Sequence, residues 1–342
     1  MQAAVIREFG GPEVLRLEEL ADPRPAPGAV LVRVRACALN RLDLWTRMGQ
    51  SAVKPAFPHV LGSDIAGEVA ALDAEVEGLR PGTRVMLSPG ASCGRCAACL
   101  SGEDNACRGY RIFGHGRLGG YAELVDAPAA NVIPLPDHVP FEEAAAFPLV
   151  FLTAWRMLVS RARLRAGEDV LVWAAGSGVG MAAIQIARLH GARVIATAGS
   201  DDKLARAKAL GADEVVHHHR EDVVARVRAL TGKKGADVVV EHVGEATWER
   251  SLLSLAFRGR LVTCGATTGA SGDTPLRHLF ARQLSVLGSY MGSKADLLAA
   301  VPAFFDGRLK PAVHAALPLA EAAQAHAIME ASEHFGKIVL RV

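Results

Sequence analysis

Almost no net charge remains when 38 Lys and Arg are set against 36 Asp and Glu; the 342-residue chain carries +2 at pH 7. That balance gives neither nucleic acid nor an anionic membrane surface a reason to bind. The opening residues, MQAAVIREFGG, lack a basic stretch leading into an apolar core, so no secretory signal is expected. The longest apolar run, AAAFPLVFLTAW, is about a dozen residues with a proline inside, against the ~20 that a membrane span needs. Internal repeats and low-complexity tracts are absent as well. Together these absences predict a cytoplasmic protein whose thiols stay reduced. The length favours two domains, and a composition 50% hydrophobic and 22% charged is ordinary for a globular chain.

Cysteine is scarce, yet four of the six fall in one stretch, CGRCAACLSGEDNAC. Its spacing is Cys93-x2-Cys96-x2-Cys99-x7-Cys107. Four thiolates can close a tetrahedron around one Zn²⁺, with Gly94, Ala97, Ala98 and Gly102 letting a short chain wrap tightly. Three other readings exist. Disulfides are disfavoured by the compartment. A bacterial iron–sulfur run ends Cys-x3-Cys-Pro, not Cys-x7-Cys. The third is four unligated thiols. Zinc, one ion per chain, is the reading that uses all four. A four-cysteine site leaves no open coordination position, so such an ion is structural.

Residues 1 to about 125 read as short β segments punctuated by Gly and Pro: AAVIREF, GAVLVRVRACAL, DIAGEVAAL, TRVML and GGYAELV. They predict a β-barrel-like domain, from which residues 93–107 form an excursion. After residue 150 strand and helix patterns alternate. EDVLVWAA, ARVIATAG, ADEVVHH, ADVVVEHVG, GRLVTCG and LSVLGSY are the strands; GVGMAAIQIARLHG, DDKLARAKALG and REDVVARVRALTG are clear helices. Such alternation predicts an α/β fold with a doubly wound parallel sheet over 126–295, including its lead-in. Residues 296–342 read as helices and a last strand, GKIVLRV, returning to the first domain.

Between the first of these strands and its helix lie Gly176, Ser177, Gly178, Val179 and Gly180. In a strand–turn–helix context these glycines point to a dinucleotide site, its pyrophosphate held at a helix N-terminus. The pattern departs from strict G-x-G-x-x-G, since Ala175 and Ser177 hold the first two positions. About 20 residues on, NAD sites place an acidic residue for the ribose 2′-OH. Here the strand ends in Ala198, Gly199 and Ser200, with Lys203 near and Asp201 and Asp202 read as caps of the next helix. The cofactor expected is therefore NADP, with NAD as the alternative.

The four-cysteine lobe, the LGSDIAGEV, GGYAE and GSGVG segments and the late GSYMGSKADL together resemble the medium-chain dehydrogenase/reductase superfamily over essentially the whole chain. The resemblance implies a GroES-like β-barrel domain plus a Rossmann domain. Its zinc alcohol dehydrogenases hold a catalytic zinc with Cys, His and Cys at three positions; here these are Asn40, Ser63 and Leu149. All three are poor zinc ligands. ALNRLD and LGSDIAGEV instead look like the zinc-free quinone oxidoreductase branch. Alcohol oxidation needs a Lewis acid at the alkoxide. Hydride delivery to a small apolar carbonyl, quinone or enone needs only orientation and a donor for the developing oxyanion.

By the same resemblance Asn40 is the candidate donor, Asp43 a structural acceptor of backbone amides, and Thr153 a contact to the nicotinamide or its ribose. Val243 and Gly244 are expected along the ribose. Cys264, Gly265, Ala266, Leu287, Gly288 and Ser289 are expected beneath the nicotinamide carboxamide. Superfamily members often pair as homodimers or homotetramers, and the strand near Leu284–Ser289 is a plausible pairing edge. His59, Asp64 and His115 form a possible unorthodox metal set. His217, His218 and His219 read as a solvated strand end near the adenine, and Cys37 and Cys264 as buried small apolar residues. Trp45, Phe57, Phe113 and Phe151 suggest an apolar acceptor. Two rival functions remain open: a zinc alcohol dehydrogenase with rearranged ligands, and a nucleotide-binding protein without turnover.

Overall fold

The computed structural model describes all 342 residues and divides them into two units, Met1–Leu149 with Lys310–Val342, and Val150–Leu309. In chain order the strands are β1 (Gln2–Ile6), β2 (Arg16–Glu19), β3 (Ala29–Ala38), β4 (His59–Val60), β5 (Asp64–Leu72), β6 (Arg84–Leu87), β7 (Gly90–Ala91), β8 (Arg111–Ile112), β9 (Leu124–Pro128), β10 (Val132–Pro134), β11 (Asp169–Val172), β12 (Arg193–Ala198), β13 (Glu214–His217), β14 (Ala236–Glu241), β15 (Leu255–Thr263), β16 (Ser285–Gly288), β17 (Val313–Pro318) and β18 (Lys337–Arg341). The helices are α1 (Arg41–Arg47), α2 (Ala97–Leu100), α3 (Phe141–Ala146), α4 (Pro148–Trp155), α5 (Gly178–Leu189), α6 (Asp201–Ala209), α7 (Val223–Leu230), α8 (Glu245–Ser254), α9 (Leu276–Ala281), α10 (Lys294–Phe305) and α11 (Ala322–Glu330).

The first unit is built on a sheet of order β10-β6-β5-β3-β18-β17, with β9 also paired to β3. β3 is central because Val30, Val32 and Val34 alternate inward, all buried, while Arg33 and Arg35 point out. Its register with β5 shifts between Val34 and Ala36. There the two backbones run so close that a Cβ on Gly67 would meet the Arg33 carbonyl oxygen at 2.0 Å, which only glycine avoids. The core beneath is aliphatic, with Phe113 and Tyr121 among its members.

The second unit is a six-stranded, all-parallel sheet of order β13-β12-β11-β14-β15-β16. Its order reverses between β11 and β14, the switch point where such sheets bind ligands. β11 is buried throughout, as a strand covered on both faces must be. No helix of the chain is long and apolar enough to cross a membrane.

The run of short β segments predicts a boundary near residue 125, with a lead-in to the second domain after it; the structure divides the chain at 149/150. The reason is packing. β9 spans residue 125 and pairs with β3, β10 pairs with β6, and α3 packs Ala144, Ala145 and Ala146 against the same sheet. The return to the first unit begins at Lys310 rather than 296, because α10 stays with the second unit. Asp296, in its first turn, pairs with Arg156 at 3.2 Å and closes a capping box with Ser293.

Candidate functional site

The cysteine lobe combines β7, the short helix α2, with Cys96 at its N-cap, and a 3-10 turn over Asp104–Ala106. Gly94 and Gly102 take φ of +70° and +81°, which lets the chain double back around one point. All four Sγ atoms lie within 4.8 Å of one another. Three of the separations are 3.9 Å (Cys93–Cys99), 3.5 Å (Cys96–Cys99) and 3.5 Å (Cys93–Cys107). A tetrahedron of ~2.3 Å Zn–S bonds has edges of about 3.8 Å, so the donor set fits zinc. Backbone amides of Arg95 and Cys96 pull the Cys93 thiol down to about 6, towards the thiolate a metal needs. The Gly109 amide donates to Cys107 Sγ at 3.3 Å.

In the second unit the glycine turn follows β11. Ser177 is the N-cap of α5, and its Oγ accepts from Gly180 N at 2.9 Å. The same oxygen lies 2.7 Å from His242 Nε2. A Cβ on Gly180 would meet the Ala174 carbonyl oxygen at 2.4 Å, so glycine is what permits this close helix–strand approach. Gly178 and Val179 open the first helical turn, where amides lack intrahelical acceptors.

At the C-terminal ends of β14, β15 and β16 lies a cavity of about 600 Å³. Its lining includes Gly244, Cys264, Gly265, Ala266, Gly288 and Ser289. Val243 and Leu287 do not line it. Leu287 instead pairs with Val262 on β15. The Ser289 hydroxyl is buried without a partner in the chain, as is that of Thr153. Glycine-lined space, orphan hydroxyls and a capped helix N-terminus fit a dinucleotide. Burial, then the charge of Glu241, pushes the Cys264 thiol up to about 12. Cys264 is half-buried rather than buried, because it sits at the rim of this cavity, whereas Cys37 is fully buried as expected.

Glu241 went unremarked in the sequence, yet it is fully buried and organises this region. Its carboxylate accepts from Val243 N (2.7 Å), Gly244 N (3.0 Å), Thr247 Oγ1 (2.8 Å) and Ser251 Oγ (2.6 Å). Four donors satisfy the charge and lock the turn after β14. The E-H-V-G segment held the signal: a lone acid at the end of a buried strand needs local amides.

At the tip of β12, Ser200 is the N-cap of α6, accepting from Lys203 N at 3.4 Å. This corrects the assignment of the cap to Asp201 and Asp202, which occupy the first turn; Asp201 pairs with Arg220 on the surface. The three histidines are not all solvated. His217 is buried, His218 half-buried and only His219 exposed. His217 pairs in register with Ala198, which draws its ring inside. His218 is pulled down to about 4, by burial first and then by His219.

In the first unit Asn40, Asp43, Asp64 and Lys337 are all buried. Asp43 Oδ2 accepts from Asn40 N at 2.7 Å and Asp43 Oδ1 from Gly62 N at 3.0 Å. Asn40 Nδ2 donates to Asp64 Oδ2 at 2.9 Å, and Lys337 Nζ donates to Asn40 Oδ1 at 2.6 Å and to Asp64 Oδ2 at 2.9 Å. Leu149 N reaches Asp64 Oδ1 at 2.8 Å. Asp64 is thus engaged on both oxygens. Ser63 Oγ, beside it in sequence, is buried with no partner.

A second buried chain of bonds links Arg47, His326 and Tyr121. Arg47 can only donate, so His326 Nδ1, 3.1 Å from Arg47 Nη1, is the acceptor. The ring proton is then on Nε2 and points at Tyr121 Oη, 3.1 Å away. Burial, with the Asp43 charge adding to it, pushes the Tyr121 hydroxyl well above its usual range, so it stays protonated. Arg47 also pairs with Glu330. Burial is the main cause that raises Asp43 to about 6 and that lowers His326 to about 3.

His59, Asp64 and His115 do not converge on one point; the cysteines are the one group of three or more ligand atoms that does. His59 Nε2 donates to the Gly114 carbonyl at 3.0 Å. His115 Nδ1 lies 3.0 Å from Thr46 Oγ1, whose own proton goes to Leu42 O. Burial lowers both imidazoles.

Two family models match the chain: an alcohol dehydrogenase GroES-like domain over residues 26–137 and a zinc-binding dehydrogenase over residues 178–306. A quinone oxidoreductase of Rattus norvegicus is 33% identical, covering 99% of this chain and 97% of the relative. The chain belongs to the medium-chain dehydrogenase/reductase superfamily. An NAD-dependent alcohol dehydrogenase of Sulfolobus acidocaldarius is 32% identical over all of both chains. A crystal structure of an NAD-dependent alcohol dehydrogenase is 53% identical, covers both chains fully and superposes with a TM-score of 0.97. The protein is therefore an oxidoreductase of an NAD(P)-dependent family, with a GroES-like domain and a Rossmann domain.

Proposed function

We propose that this oxidoreductase reduces electron-poor carbonyl, quinone or enone compounds at the expense of NAD(P)H without a catalytic metal, its one zinc being structural. The observation that carries this reading is the first-unit polar cluster. Asn40, Ser63 and Leu149 hold the three family ligand positions, and Asp64 is already engaged by Asn40, Lys337 and Leu149 N. A bound dihydronicotinamide supplies the hydride and its electron pair. The acceptor's conjugated system takes the pair, the displaced pair arrives on its oxygen, and water provides the closing proton. The chain binds, orients and offers donors: Asn40 to the acceptor oxygen, Thr153 to the nicotinamide or its ribose, with Asp43 holding the Asn40 loop.

Gly176, Ser177, Gly178 and Val179 would hold the pyrophosphate, Ser200 and Lys203 the adenosine ribose, and Val243 and Gly244 the nicotinamide ribose. Cys264, Gly265, Ala266, Leu287, Gly288 and Ser289 would flank the carboxamide. With no carboxylate at the β12 tip, NADPH is the preferred cofactor. Ser200→Asp keeps a competent helix cap but places a like charge beside the 2′-phosphate. NADPH affinity should fall about 10- to 100-fold, with NADH affinity unchanged. Fluorescence titration of both nucleotides reads this, and an equal effect on the two would refute the preference.

A panel of quinones, enones and alcohols tests the reaction. Rapid NADPH oxidation with the first two supports it. Tight NADPH binding without turnover of any of them would leave a nucleotide-binding protein, and metal-dependent alcohol oxidation would restore the zinc dehydrogenase. We also assign pairing into a homodimer or homotetramer to the β16 edge, where Val286 is exposed on an otherwise regular strand. Val286→Lys should give a smaller species by light scattering; an unchanged mass would place the interface elsewhere.

A further inference from the structure

Lys337 opens β18, is 1% exposed, and bonds to Asn40 and Asp64, which lie 297 and 273 positions away in sequence. Holding two strands together does not require an ion pair, because apolar residues of similar volume commonly do as well or better. The charge also does something specific to Asn40. An ammonium has only donors, so the atom facing it is the amide oxygen; a carboxylate accepts, so the atom facing Asp64 is the amide nitrogen. The amide is thereby held in one orientation by chemistry rather than by shape.

Two donor hydrogens are left over in this cluster. Asn40 Nδ2 carries two hydrogens and gives one to Asp64. The Ser63 hydroxyl, fully buried, has no partner at all. A buried polar group without a partner is uncommon and signals a missing one. A cation bonded to the amide oxygen withdraws electron density through the amide and strengthens its remaining N–H as a donor. The arrangement at Asn40 is a fixed positive charge on the amide oxygen and one polarised N–H.

Resting on the reaction proposed above, we infer that Lys337 is the positioning residue that orients and polarises Asn40, so that the Asn40 N–H stabilises the negative charge that hydride transfer places on the acceptor oxygen. Lys337 acts through Asn40 and does not itself touch the acceptor. The acceptors that gain most are those on which the negative charge is least stable. An enone, whose enolate is strongly basic, depends on the polarised donor. A quinone, whose hydroquinone anion is stable by delocalisation, depends on it far less.

The test compares Lys337→Met with wild type on one simple enone and one quinone, with NADPH affinity read by fluorescence. Loss of one preorganised oxyanion donor lowers kcat about 10²- to 10³-fold. A loss of that size is expected for the enone, with the quinone reduced under about tenfold and the NADPH dissociation constant unchanged. In an Asn40→Ala background, Lys337→Met should add almost nothing. Should Lys337→Met leave Asp64 too exposed to its own charge to fold, the neutral pair Lys337→Met with Asp64→Asn carries the same comparison. Equal losses on both acceptors, no loss on either, or a full additional loss in the Asn40→Ala background would each overturn the assignment. If wild type reduces neither acceptor, the reaction itself is wrong, and the assignment falls with it before any variant is made.

Discussion

Cys96→Ser should take the zinc content of dialysed protein from one ion per chain to none. The three remaining thiols cannot close the tetrahedron that separations of 3.5–3.9 Å describe. The lobe has little else to hold it: of the chain between Cys93 and Cys107, only Asp104 and Cys107 are buried. Structural zinc contributes roughly 10–16 kcal/mol of apparent binding free energy in small zinc-finger peptides, and that energy is folding energy there. Here it would act on the lobe alone. Limited proteolysis should therefore cut Cys96→Ser between residues 93 and 107 while the second unit stays intact. Two ions in wild type, one surviving the substitution, would disprove the metal-free reaction and reopen the search for a catalytic site.

The acid side of the stability curve carries the second large effect. His326 titrates near 3 in the fold, mainly because it is buried, with Arg47 adding to the depression. Unfolded, it titrates near 6.5. Between those values the unfolded chain holds a proton that the folded chain refuses. Stability from this group is complete above about pH 6.5 and is lost as pH falls towards 3, by up to about 5 kcal/mol. Asp43 works the other way. Burial raises it from 3.8 to about 6, so the folded state holds the extra proton in that window and gains stability as pH falls through it, by about 3 kcal/mol. The two offset each other in wild type between pH 6 and 4. His326→Gln removes one side of the balance. The stability difference between wild type and this variant should shrink by about 3 kcal/mol between pH 6.5 and pH 4 in denaturant unfolding. A difference independent of pH would show that His326 is not held neutral by the fold.

What could be read from the chain in advance was what lies close together along it. The four cysteines span fifteen positions and their geometry follows from spacing. The strand–helix rhythm from Asp169 to Gly288 repeats often enough that hydrophobic period alone locates each element. Asn40 could be singled out only through a resemblance, and its partners not at all: the 24 positions to Asp64 and 297 to Lys337 are bridged by a strand register no local pattern encodes. The unit boundary was misplaced for a related reason. Phe141–Ala146 reads as a generic apolar helix, and only tertiary packing assigns it to the first sheet. At Ser200 the error was one of adjacency, since Ser and Asp both cap helices and the chain offers three in a row.

The return of Lys310–Val342 to the first unit has a consequence for how the protein is made. Synthesis runs from the N-terminus, so all of Val150–Leu309 emerges and can fold while the earlier barrel is still missing β17 and β18. Until then one edge of β3 is open at Ala36–Ala38, where β18 will pair, and Asp64 has no lysine. The nascent barrel is thus an open-edged intermediate holding a buried acid without its counter-charge, and it persists until β18 has emerged from the ribosome. A stop codon ahead of β18 would leave that intermediate as the end product, with an exposed strand edge for chaperones and proteases to find.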